Sequence, residues 1–132
     1  MLKSIHRVSG IAISTFFIAH IINHLFALAG ADMHIAVMNL LRAVYRFPPV
    51  EVFLLMCVGI QITSGLWLLW TKGFSKNAFD VLQALSGLYL SFFLIYHVRA
   101  VILARYEWNA DTNFHFAAWV VKNYPAAYFF IP

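Results

Sequence analysis

Charged residues are scarce in this sequence. Lys, Arg, Asp and Glu make up 11% of the 132 residues, whereas a soluble domain carries about 25%. Hydrophobic residues make up 63% of the chain and aromatic residues 17%. The scarcity of charge excludes an ordinary soluble domain and predicts an integral membrane protein with a single domain, residues 1–132.

Cysteine and concentrated positive charge are also lacking. The single Cys57 excludes a disulfide within the chain. The formal net charge is +4, but the basic residues are spread over the ends of the apolar segments rather than gathered in one patch. A nucleic-acid partner is therefore not expected, and membrane lipid is the expected surrounding.

Three apolar segments are long enough to cross a bilayer, which takes about 20 residues of helix. They predict spans over residues 4–29, 52–70 and 79–106. Residues 32–47 predict an amphipathic interfacial helix, with a soluble loop as the alternative. After the third span, the sequence predicts either an interfacial tail or a partial fourth span. The predicted fold class is an all-α membrane protein, a transmembrane helix bundle with three full spans.

Basic residues at the ends of the spans bear on orientation. Lys3, Arg7, Lys72 and Lys76 share one side of the predicted bundle, whereas the other side carries acidic as well as basic residues. Since Lys and Arg concentrate on the cytoplasmic side of membrane proteins, the N-terminus is expected on the cytoplasmic or matrix side.

One pattern of residues occurs twice, in the first and third predicted spans. Ser9, Gly10, Ser14, Phe16 and His20 recur with a constant offset of 77 residues as Ser86, Gly87, Ser91, Phe93 and His97. Eleven residues make about three helical turns, so each serine lies on the same face as its histidine. With one span between them, the two repeat-bearing spans run in the same direction. Their histidines should therefore reach a similar depth.

Two imidazoles at equal depth on facing helices can hold a haem iron between them, as in b-type cytochromes. His20 and His97 are therefore the predicted metal ligands. The alternative is that both are hydrogen-bonded packing residues, since a polar side chain at bilayer depth usually faces the protein interior. Phe16 and Phe93 could pack against a macrocycle, although aromatic residues at this spacing are also ordinary core.

A second haem would need further ligands. His6 lies fourteen residues before His20 and on nearly the same face, so the first span could serve two stacked sites. The equivalent position in the third span is Gln83, and the second span offers only Gln61, which predicts one haem rather than two. Gln61 with Ser64 also forms a polar patch that could complete the bundle through a homodimer.

Other polar residues near the span ends have two interpretations. His24, Arg7, Arg99 and Arg105 could contact haem propionates or a quinone head group, since Arg pairs well with carboxylates. Equally, the arginines could extend to lipid phosphates. Two further histidines, His34 and His115, lie outside the spans and are expected to be solvated.

Three short motifs resemble the cytochrome b membrane-anchor subunit of succinate dehydrogenase and fumarate reductase. His6-Arg7-Val8-Ser9-Gly10 resembles the His-Arg-x-Ser-Gly start of the first helix in that superfamily. The segment 17–24, Phe-Ile-Ala-His-Ile-Ile-Asn-His, resembles the first helix of its single-subunit, di-haem type. Leu85-Ser86-Gly87 leading to Tyr96-His97-Val98 resembles a later helix that carries the partner ligand. The resemblance covers most of residues 4–106.

The resemblance implies that His20 and His97 ligate one haem b, with Ser9 and Arg99 as further cofactor contacts and His6, Arg7 and His24 near quinone or the propionates. The di-haem type carries a second haem, but Gln61 stands where that type has its ligand on the second helix, so one haem is favoured over two.

Family members exchange electrons between a flavoprotein–iron-sulfur pair and quinone, in the bacterial inner or mitochondrial inner membrane. The resemblance therefore implies an electron-transfer anchor subunit without catalysis of its own. The alternatives are a stand-alone b-type cytochrome and a non-haem structural or assembly protein of the same fold.

Overall fold

A computed structural model describes residues 1–73 and 77–124 of the chain. Every element within these ranges is helical. The helices are α1 (Leu2–Leu25), α2 (Ala31–Tyr45), α3 (Pro48–Lys72), α4 (Ala78–Tyr106) and α5 (Phe114–Asn123), with a 3₁₀ turn at Phe26–Ala29 between α1 and α2. Three candidate spans, Leu2–Ala29, Pro48–Lys72 and Ala78–Tyr106, are long and apolar enough to cross a membrane. The predicted all-α membrane fold is therefore confirmed.

The helix boundaries follow from a few residues with restricted or permissive backbones. Gly30 has a φ of +118°, a conformation that L side chains rarely adopt, and this residue separates the 3₁₀ turn from α2. The third helix begins at Pro48 rather than at residue 52, because proline fits the first helical turn, where its missing N–H would have no partner. Asn113 starts α5, since its side chain accepts hydrogen bonds from the backbone N–H groups of His115 and Phe116.

Of the tail that follows α4, the structure describes residues 107–124. Its apolar stretch forms the short helix α5, which packs against α2. The predicted partial fourth span falls on residues 126–132, which lie outside the described residues. Lys76, one of the basic residues used to predict the orientation, also lies outside them.

The bundle is held by helix pairs rather than by a large core. The closest packing is between α1 and α3, whereas α3 meets α4 less extensively. In the described residues, the buried hydrophobic side chains are Met38, Cys57 and Ala104. Apolar side chains such as Ile11 and Ile18 are more than half exposed, as expected for surfaces that face lipid.

The predicted amphipathic helix is present as α2, and it packs along α1. His34 of α2 accepts a hydrogen bond from Asn23 near the end of α1. Tyr45 makes an edge contact with Phe16 at a centroid distance of 5.5 Å. The loop before α5 is fastened to α2 by an ion pair of 2.7 Å between Arg42 and Asp111. Together, α2 and α5 cover the end of α1 where the predicted ligand histidine lies.

Candidate functional site

The two predicted ligand histidines come together between α1 and α4. The ring centroids of His20 and His97 are 6.2 Å apart, and their planes are inclined by 71°. Both residues are partly buried. The expectation that the repeat brings its two histidines to a common depth therefore agrees with the geometry of the helices.

Each of these histidines stacks on the phenylalanine one turn before it. Phe16 lies 5.7 Å from His20 with an interplanar angle of 19°, and Phe93 lies 5.2 Å from His97 with an angle of 18°. Residues four apart lie on the same face of a helix, so the repeated Phe-x-x-x-His spacing produces the same stack twice. The stack restricts the rotation of each imidazole.

The separation of the two rings suits a metal shared between them. Metal–nitrogen bonds to histidine are about 2 Å long, so two imidazoles that bound one metal would have their ring centroids roughly 6–6.5 Å apart. The observed 6.2 Å falls in this range. The Nε2 atoms of His20 and His24 lie 3.2 Å apart, one donating to the other. A metal on Nε2 of His20 would require this hydrogen bond to open. The donor set otherwise fits haem iron.

A group of polar side chains continues from His20 towards α2. The centroids of His24 and His34 are 5.5 Å apart, and the amide Nδ2 of Asn23 donates to Nε2 of His34 at 3.2 Å. Beside them lies a cavity of about 210 Å³, walled by alanines and by Phe114 of α5. Sequence reasoning did not find this cavity, because it exists only where α2 and α5 fold over the end of α1.

His34 contradicts the expectation of a solvated side chain. It is only 4% exposed, whereas His115 is exposed as predicted. Burial lowers the pKa of the His34 imidazole, and the charge of Arg42 lowers it further. Since Nε2 accepts a hydrogen bond from Asn23, the ring proton belongs on Nδ1, which is buried and has no hydrogen-bond partner among the described residues. The expectation was wrong because amphipathic α2 turns this face towards α1.

A second polar cluster joins α1 to α3, away from the histidine pair. Nδ1 of His6 lies 2.8 Å from the Ser64 hydroxyl oxygen, and the Gln61 amide nitrogen lies 3.2 Å from Nε2 of His6. The Ser9 hydroxyl donates to the Gln61 carbonyl oxygen at 2.8 Å, and Ser64 donates to the backbone carbonyl of Ile60. With His6 neutral, both ring nitrogens have partners, one as donor and one as acceptor.

This second cluster leaves no space for a macrocycle. A Cβ added to Gly10 would lie 3.3 Å from the Gln61 side chain, and one added to Gly65 would lie 3.2 Å from the His6 ring. The helices therefore touch where a second haem would have to enter. The residues around His6 therefore do not fit a haem, and the count of one haem stays a prediction.

Ser9 and the arginines are not gathered around the histidine pair. Ser9 is buried in the contact with α3, and eleven residues of helix put it about 16 Å along the axis from His20. Arg7 and Arg99 are exposed. The Arg105 guanidinium donates to the Glu51 carboxylate, which joins the end of α4 to the start of α3. Sequence reasoning missed this pair, although both residues flank predicted spans on the same side.

The second copy of the repeat uses its small residues differently from the first. Ser86 and Gly87 are exposed, and a Cβ added to Gly87 would meet no atom within 4 Å in the described parts of the chain. Gly10 by contrast lies against Gln61. The two copies of the repeat therefore make the same contacts at Phe and His, but different contacts at Ser and Gly.

Comparison with family models, curated proteins and solved structures gives no match.

Proposed function

We propose that this chain is a b-type haem membrane-anchor subunit of a succinate dehydrogenase or fumarate reductase-type complex. In this proposal it carries electrons between the dehydrogenase subunits and quinone. The observation that supports it best is the approach of His20 and His97 at 6.2 Å, each stacked on its own phenylalanine. Packing histidines need a hydrogen-bond partner, but they need neither the repeated stack nor a spacing suited to a metal.

The residues of the chain would hold the cofactor as follows. His20 and His97 would each supply a ring nitrogen to the iron, and Phe16 and Phe93 would keep the two imidazoles oriented by stacking. Bound haem supplies one-electron redox chemistry. Both histidines are partly buried, and limited access of water favours the less charged redox state of such a site.

The cavity beside His24 and His34 supports the quinone part of the proposal. Its volume of about 210 Å³ is large enough for a flat ring, and its walls are mostly alanine, valine and phenylalanine. The two imidazoles provide the polar groups, and an N–H on either could donate to a quinone carbonyl. His24 also touches His20 directly. A quinone in this cavity would lie next to the proposed ligand.

The proposed partners are a flavoprotein and an iron-sulfur subunit. The proposed location is the bacterial inner or mitochondrial inner membrane, with the N-terminus on the cytoplasmic or matrix side. A homodimer stays a prediction; the Gln61 and Ser64 side chains, which suggested it, bond to α1 within one chain. Co-purification with flavin and iron-sulfur subunits would distinguish the anchor subunit from a stand-alone cytochrome.

The test is a reduced-minus-oxidised spectrum of the purified protein with haem quantified per chain. We expect a b-type spectrum and about one haem per chain. His20→Ala and His97→Ala should each abolish haem retention, whereas exposed His115→Ala should retain it. Full haem binding by the His97→Ala variant would refute the ligand assignment, and a colourless wild-type protein would favour the structural role.

A further inference from the structure

Three arginines gather at one end of the bundle, where the second and third spans begin and end. Arg46 lies two residues before Pro48, the first residue of α3, and Arg105 lies in the last turn of α4. Arg42 is one turn before Arg46 on α2. This end of the two spans is the level at which lipid head groups meet a transmembrane helix.

The carboxylates in this cluster are already engaged. Asp111 pairs with Arg42 at 2.7 Å, and Glu51 pairs with Arg105. Arg46 donates to the Thr112 hydroxyl at 3.0 Å, a neutral acceptor. Three guanidinium groups therefore face two paired carboxylates, which leaves one positive charge in excess.

Burial makes this excess charge costly. The Nε atoms of Arg42 and Arg46 are buried, and within residues 1–73 and 77–124 neither has a hydrogen-bond partner. Burial lowers the pKa of Arg46, and the nearby charges of Arg42 and Arg105 lower it further, although Tyr45 and Asp111 act in the opposite direction. A partly buried cation with an unused N–H is completed by an anion, and guanidinium matches phosphate oxygens in two-point hydrogen bonds.

An apolar cleft lies beside the arginine cluster. It has a volume of about 250 Å³ and lies between the first turns of α3 and the last turns of α4. Its walls are Pro48, Glu51, Val52, Leu55, Ile102 and Tyr106. The cleft borders the Glu51–Arg105 pair and leads into the hydrocarbon-facing part of the two spans, so it suits an acyl chain better than a water-soluble anion.

We propose that an anionic phospholipid binds at this end of the bundle, with its phosphate on Arg46 and an acyl chain in the cleft between α3 and α4. Charge complementarity selects the head group, because zwitterionic lipids would leave the excess charge unneutralised. The cleft selects a lipid over free phosphate. Bound lipid would tie α2, which carries Arg46, to α3 and α4. This site is independent of haem, since it uses neither His20 nor His97.

The test measures lipid retention by the full chain in detergent, using native mass spectrometry. Phosphatidylglycerol is the probe, with phosphatidylcholine and inorganic phosphate as comparisons. We expect one phosphatidylglycerol to be retained and phosphatidylcholine to be lost. A basic residue near an anionic surface contributes about 1 kcal/mol, so Arg46→Gln should weaken phosphatidylglycerol retention about fivefold. Lys122→Gln, which removes an exposed charge at α5, should leave retention unchanged.

A second variant tests the cleft without touching the arginines. Leu55→Trp should fill the cleft and displace phosphatidylglycerol, while leaving the helical circular dichroism spectrum unchanged. Equal retention of phosphatidylglycerol and phosphatidylcholine, equal losses in Arg46→Gln and Lys122→Gln, or stabilisation by inorganic phosphate to the same degree would each overturn the proposal. Haem content, measured in the same samples, reports separately on the haem proposal.

Discussion

Replacing Gln61 by Leu should loosen the contact between α1 and α3. The substitution removes the hydrogen bond from Ser9 at 2.8 Å and the one to Nε2 of His6 at 3.2 Å. Ser9 keeps an alternative acceptor, the His6 backbone carbonyl at 3.1 Å, but the imidazole nitrogen is left without a partner. Most of the lost stabilisation therefore comes from the hydrogen bond to His6.

The expected change in the free energy of unfolding follows from hydrogen bonds measured between transmembrane helices. Each such bond contributes about 0.6 kcal/mol on average and at most about 1.7 kcal/mol. Two lost bonds, one of them partly replaced, predict that the free energy of unfolding falls by about 1–2 kcal/mol. Gln83→Leu is the matched control, because Gln83 is the equivalent position on α4 and is exposed, so we expect no more than a few tenths of a kcal/mol.

The assay is detergent-driven unfolding of the purified chain, followed by circular dichroism, on Gln61→Leu, Ser9→Ala and the double variant. The coupling energy between the two positions should be about 0.6 kcal/mol. Unfolding free energies that are unchanged in Gln61→Leu, or a coupling energy near zero, would show that the α1–α3 contact described above is not made.

Two further predictions concern packing and pH. A larger side chain at Gly65 should push against the His6 ring, which lies 3.2 Å from an added Cβ, whereas an added Cβ at Gly87 meets no described atom within 4 Å. Gly65→Val should therefore lower the thermal unfolding midpoint by several degrees, and Gly87→Val should leave it unchanged. Equal midpoints would contradict the packing. The pKa of His34 is below its ordinary value of about 6.5 in the folded chain, so acidification through that value protonates the unfolded chain first and lowers stability. Thermal unfolding at pH 7.5 and 5.5 should show a smaller loss in His34→Gln than in the wild type, and an identical loss in both would refute the assignment.

The spans and the histidine pair were predictable because they depend on local or repeated properties of the chain. Helix length and apolarity are set within each segment, and the constant offset between His20 and His97 fixes their relative depth once the spans are counted. The predicted start of α3 was wrong by four residues. It was placed where the apolar run begins, whereas proline favours the first turn of a helix and the helix starts at Pro48.

The contacts that were missed depend on how separate segments pack. His34 is buried only because α2 lies along α1, and nothing within α2 specifies that partner. The bonds of His6 to Gln61 and Ser64 join positions 55 and 58 residues apart, so spacing alone does not indicate them. The ion pair of Arg105 with Glu51 depends in the same way on the antiparallel packing of α3 and α4.

The polar contact between α1 and α3 also has a consequence for biosynthesis. His6 and Ser9 leave the ribosome 52 to 58 residues before their partners Gln61 and Ser64. At about 5–20 residues per second, the first span waits roughly 3–12 seconds before the His6 imidazole can meet its partners on α3. During this interval the Ser9 hydroxyl can donate to the His6 backbone carbonyl within α1, but the imidazole is either held in the insertion machinery or exposed to lipid. Release of α1 into the bilayer is therefore expected to be delayed until α3 arrives, so that the two helices leave the insertion machinery as a pair.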